Sequence, residues 1–74
     1  MSLTARGAPL AGTVAGFDAA TGWGVVEAED GAPYPFHCTA IADGSRVIEA
    51  GIAVTFHLAP GHRGLWEAAG VTPR

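Results

Sequence analysis

Lysine is absent from this chain, and its four arginines, Arg6, Arg46, Arg63 and Arg74, stand against seven carboxylates. The formal net charge is −3 and the sequence pI is near 5.4. This balance excludes a broad basic footprint, which in most nucleic-acid binders supplies the bulk of non-specific affinity through counterion release. It leaves room for a few arginines gathered on one face of an acidic protein. Cysteine is nearly absent as well. Cys38 stands alone, which excludes an internal disulfide and suits a reducing compartment. No apolar run approaches the roughly 20 residues needed to cross a bilayer as a helix. The expectation is a soluble cytoplasmic protein with no membrane partner.

What is abundant is punctuation. Eleven glycines and five prolines are spread through 74 residues, a distribution that favours short strands and tight turns over helices. The length allows one small domain, residues 1–74, with a core over about residues 10–72. Five strands are predicted. Leu10 to Phe17 begins after Pro9, with Gly12 and Gly16 as bends or bulges. Asp18 to Gly22 reads as a turn capped by the Asp18 side chain. Trp23 to Ala28 follows, with Trp23 and Val25 on one face and Gly24 and Val26 on the other. Glu29-Asp30-Gly31 closes a hairpin into residues 33–38, where Tyr34 and Phe36 share a face and Pro33, Pro35 and His37 share the opposite one. Two prolines at this spacing withhold two N–H groups, which places the strand at a sheet edge.

Residues 39–41 make a single turn before a polar loop from Ala42 to Gly51. Ile52 to Leu58 alternates, Val54 and Phe56 against Thr55 and His57, as a half-buried antiparallel strand does. Trp66 to Thr72 supplies the last strand. Five short strands with a long connection after the third describe an all-β, five-stranded antiparallel Greek-key barrel of the OB type. The expected core is Val14, Val26, Tyr34, Phe36, Ile41, Val54 and Val71.

Chemistry beyond binding finds little footing. His37, His57, His62 and Cys38 have none of the Cys-x-x-Cys or His-x-x-x-His spacings common at zinc sites. Adjacent strand residues point to opposite faces, so Cys38 and His37 are not expected to meet as a nucleophile–base pair. Gly22-x-Gly24 opens no helix and is no nucleotide fingerprint. Neither an enzyme, a metal nor a cofactor is expected.

Several stretches, taken in order, carry a resemblance. Gly12-Thr13-Val14-Ala15-Gly16-Phe17-Asp18 leads to Thr21-Gly22-Trp23-Gly24-Val25-Val26 and then Glu29-Asp30-Gly31. Tyr34-Pro35-Phe36-His37-Cys38-Thr39-Ala40-Ile41 and Glu49-Ala50-Gly51-Ile52-Ala53-Val54-Thr55-Phe56 complete the series. From Gly12 to Thr72 the chain resembles the cold-shock domain family, whose first RNA-binding motif reads roughly Lys-Gly-Phe-Gly-Phe-Ile and whose second reads Val-Phe-Val-His. The resemblance implies a barrel that stacks unpaired bases on outward aromatics. Here the family's opening lysine is Thr21, its second aromatic is Val25, the aromatic of the second motif is Pro35, and the one after its histidine is Cys38. Each lost aromatic removes on the order of 1–3 kcal/mol per base.

The residues implied to touch nucleic acid are Phe17, Trp23, Val25, Pro35, His37, Arg63 and Trp66. Trp23 takes the place of a stacking phenylalanine, and its alternative is a surface anchor packed on a neighbour. His37 matches the family's histidine, against a merely exposed strand residue. Phe17 is either a rim contact or half-buried packing. Trp66 either extends the platform or covers the core beneath a loop. Val25 and Pro35 offer apolar contact, while Arg63, His62 and Arg46 are candidate phosphate contacts. Two functions follow: weak, low-specificity binding of single-stranded RNA or DNA, or a diverged barrel whose Ala15, Gly16, Val25 and Pro35 face serves a homodimer or a protein partner.

Overall fold

The computed structural model describes residues 9–61 and 65–74. Among these, five strands run β1 (Leu10–Asp18), β2 (Trp23–Ala28), β3 (Pro33–His37), β4 (Ala53–Pro60) and β5 (Trp66–Pro73), with one 3-10 turn at Cys38–Ala40. The sheet order is β3-β2-β1-β4-β5, and every strand pairing is antiparallel. Three consecutive hairpin-linked strands with the fourth returning beside the first make the expected Greek key. The sheet curls until β3 faces β5. Closure is helped by a parallel bridge between Ile41 and Val71, with the Ala42 N–H donating to the Val71 carbonyl at 2.8 Å. β3 lies at the edge of the hydrogen-bonded sheet, where its two prolines leave no central ladder broken.

The turns follow from side chains at their entries. The Asp18 carboxylate accepts from the Ala20 N–H at 2.9 Å, and the Asp18 carbonyl accepts from the Gly22 N–H at 2.8 Å. This local bonding stops β1 and reverses the chain into β2. The second hairpin closes with the Gly31 N–H donating to Ala28 and the Ala28 N–H donating to Ala32.

The β1–β2 register slips between Val14 and Gly16, a bulge at Ala15. One extra residue shifts the phase of everything after it. Val14 points inward opposite Val26, whereas after the bulge Gly16 pairs outward with Val25 and Phe17 pairs inward with Gly24. The bulge thus lies beside Gly16. Gly12 is instead a close-approach position, since a Cβ there would sit 2.6 Å from the Glu27 carbonyl oxygen.

The core comprises Val14, Val26, Phe36, Ile41, Ile48, Val54, Phe56, Ala68 and Val71. Tyr34 is not among them. It is half-buried, packed against the core from its margin with its ring centroid 6.1 Å from that of Phe56. Ile48, inside the stretch that reads as a polar loop, folds back and is buried.

Gly24 is pinned between strands: a Cβ there would meet the Gly16 carbonyl oxygen at 2.7 Å and the Phe36 ring at 2.8 Å. Chemical denaturation followed by circular dichroism should therefore separate two similar substitutions. Gly24→Ala is expected to lower the midpoint markedly, while Gly16→Ala, whose Cβ meets nothing within 4 Å, should be tolerated. Phe36→Ala empties a fully buried ring site and is expected to cost about 3–5 kcal/mol. An unchanged midpoint for Phe36→Ala would contradict this packing.

Candidate nucleic-acid interface

Residues directly opposite each other on paired strands share a face, so the register writes the outer surface as rows. Thr13, Glu27 and Pro33 form the first row, Gly16, Val25 and Pro35 the second, and Asp18, Trp23 and His37 the third. The intervening residues Val14, Val26, Gly24 and Phe36 turn inward. The outer face is therefore apolar along its middle row and aromatic at its third. Trp23 is 38% exposed and Val25 37%.

Trp23 and His37 meet across the β2–β3 pair with ring centroids 5.0 Å apart and planes inclined at 67°. This edge-on contact fixes the indole against its neighbour without covering it by a parallel ring. His37 is held from the other side. Its Nδ1 accepts from the Thr39 N–H at 3.4 Å and lies 3.2 Å from the Thr39 hydroxyl. A backbone N–H can only donate, so this network assigns the neutral ring's proton to Nε2. Nε2 lies over Gly22, where a Cβ would approach it to 3.0 Å and the Cys38 sulfur to 3.2 Å. Gly22 also has φ of 80°, in the left-handed region that glycine adopts freely. The ladder continues one step beyond the pair, with the Cys38 N–H donating to the Gly22 carbonyl at 2.7 Å.

The neighbours Cys38 and His37 do approach each other, against the expectation from strand alternation. Sγ lies 3.8 Å from Nδ1, because β3 ends at His37 and the chain enters the 3-10 turn at Cys38. Alternation fails where the strand stops. Nδ1 is already engaged by Thr39, so the contact makes no free base for the thiol.

The other candidates are placed differently. Phe17 turns inward after the bulge and its half-exposed ring stacks on Phe36, centroids 5.9 Å apart and planes at 21°. The ring is thus half-buried packing at the lip of the core, with its exposed part left at the rim of the sheet. Trp66 is not a loop-covering core residue: it opens β5 opposite Pro60 and is 55% exposed. It stands outside the β1–β2–β3 ladder that carries Trp23 and His37. Arg63 and His62 lie outside the described residues. The residues that the sequence reading missed are Thr39 and Gly22, which hold the His37 ring. Their signal is a hydroxyl two residues after the histidine and a glycine directly before the tryptophan.

Strands β1 to β3 bear two outward carboxylates, Asp18 and Glu27, and no arginine. Among the described residues, no group of three or more His, Cys, Asp or Glu side chains could hold a metal ion, and no helix is long and apolar enough to cross a membrane.

No curated protein matches the chain. The family model described as the 'Cold-shock' DNA-binding domain matches residues 10–74, which takes in all five strands, the Trp23–His37 pair and the edge-strand prolines. With this match over all five strands of the antiparallel barrel, the chain belongs to the cold-shock DNA-binding domain family.

Proposed function

We propose that the chain binds single-stranded RNA or DNA weakly and with little sequence preference, using the outer face of β1 to β3. The observation that carries this reading is the exposed Trp23 braced edge-on by His37. A base laid on the indole gains stacking of about 1–3 kcal/mol, whatever its identity, because every base has a π-face. His37 adds a second ring, and Val25 and Pro35 extend the surface with apolar contact. Two stacked bases then supply roughly 2–6 kcal/mol, which corresponds to dissociation constants on the order of tens of micromolar or weaker. Absence of cations from these strands removes the electrostatic gain that usually adds to stacking. A reducing, cytoplasmic setting fits the single half-buried thiol of Cys38.

A second reading has its own support. The middle row, Gly16, Val25 and Pro35, with Ala15 beside it, is apolar and bears no charge, which suits a homodimer or a protein partner. Light scattering across a concentration series tests the homodimer: a mass that rises toward twice 7.5 kDa favours self-association, and a constant monomer mass counts against it.

Titration with a short oligothymidine and a single-stranded RNA, followed by tryptophan fluorescence at low salt, should show saturable quenching. Trp23→Ala should weaken binding at least about fivefold, the equivalent of about 1 kcal/mol, with the circular dichroism spectrum unchanged. Trp66→Phe should leave affinity intact. No quenching at millimolar nucleotide would sink the nucleic-acid reading, and a Trp66→Phe loss without a Trp23→Ala loss would relocate the site to β5.

A further inference from the structure

Beyond His37 the chain leaves the sheet, and the loop after the 3-10 turn folds against that turn. Between them lies a shallow cavity of about 300 Å³ lined by Cys38, Thr39, Ile41, Gly44, Ser45 and Arg46. It begins one residue past the histidine of the ring pair. Most of its polar groups are already engaged. The Thr39 hydroxyl is 3.2 Å from His37 Nδ1, the Gly44 N–H donates to the Ile41 carbonyl at 3.1 Å, and the Ser45 N–H donates to the Asp43 carboxylate at 2.9 Å. That backbone N–H, with help from the Ser45 hydroxyl, holds the Asp43 carboxyl below the usual carboxylate range.

Arg46 differs from these groups. Its guanidinium forms no ion pair with any carboxylate among the described residues, and Asp43, the nearest acid along the loop, is bonded to Ser45 instead. A guanidinium is always charged, offers five donors and no acceptor, and matches phosphate oxygens two at a time. Strands β1 to β3 supply no cation of their own. Arg46 lines the same cavity as Cys38 and Thr39, the two residues that follow His37, so a polyanion running past the Trp23–His37 row toward this cavity meets a positive charge there.

We infer that the Arg46 cavity receives a backbone phosphate of the nucleic-acid strand whose base stacks on Trp23 and His37. This rests on the nucleic-acid reading above. Ile41 and Cys38 give the cavity an apolar side, and its one guanidinium matches one phosphate. One phosphate contact also has a defined signature: on single strands each adds about 0.7 to the slope of log affinity against log salt.

The experiment measures oligothymidine affinity of the whole chain from low to moderate salt, for the native protein, Arg46→Gln, Arg46→Lys and Trp23→Ala. Arg46→Gln is expected to flatten the salt slope by about 0.7 and to converge with the native protein at high salt. Arg46→Lys, which keeps the point charge, should retain the slope. Trp23→Ala should lower affinity at every salt concentration and leave the slope alone. A slope unchanged by Arg46→Gln while Trp23→Ala weakens binding would overturn the phosphate site and leave the stacking face standing.

If the native protein binds no oligonucleotide, the stacking reading has failed, and amide and side-chain NMR decides the cavity separately. Thymidine 5′-monophosphate should then shift Thr39, Ser45 and Arg46 signals that thymidine leaves in place. Identical responses to the two compounds would overturn the inference.

Discussion

Gly24 sets the face of every residue that matters on β2. With the Gly16 carbonyl on one side and the Phe36 ring on the other, there is no space for a Cβ, so this position must point inward and must be glycine. Strand alternation then turns Trp23 and Val25 outward and buries Val26. Phe36 in turn occupies the space that Gly24 leaves, and Phe17 stacks on its ring. The exposed face and the core are thus two consequences of one close approach between three strands.

From that constraint the surface follows row by row. Its third row keeps two rings in contact, and its second keeps an apolar centre. Its charge is what the family resemblance would not suggest: two carboxylates and no arginine on the three strands that form it. Stacking is nearly independent of salt, whereas phosphate neutralisation is steeply dependent on it. On the proposed reading the two contributions lie apart in space, the rings on the sheet and Arg46 in the loop beyond β3.

Strand positions were legible because alternation, glycine and proline each have a direct physical meaning. Pro33 and Pro35 announced an edge strand, and β3 is one. Asp18 announced its own turn. The failures share a cause. Gly16 marked the bulge that falls beside it at Ala15, but which way Phe17 turns after it depends on how β1 pairs with β2. Ile48 sits in a polar stretch and is buried because the loop folds back, and Trp66 stays exposed because its strand begins where the barrel wall ends. Cys38 and His37 meet because the strand stops between them.

The letters alone determined a five-stranded Greek-key barrel, since periodicity and turn chemistry are local properties, and the resemblance of their motifs gave the family and the candidate residues Trp23 and His37. Tertiary structure decided which side of the wall Phe17 occupies, how Thr39 and Gly22 hold the histidine, and that Arg46 shares a cavity with Cys38 and Thr39. Those outcomes depend on register and on chain segments distant in sequence coming within a few ångströms, and no local pattern encodes that distance.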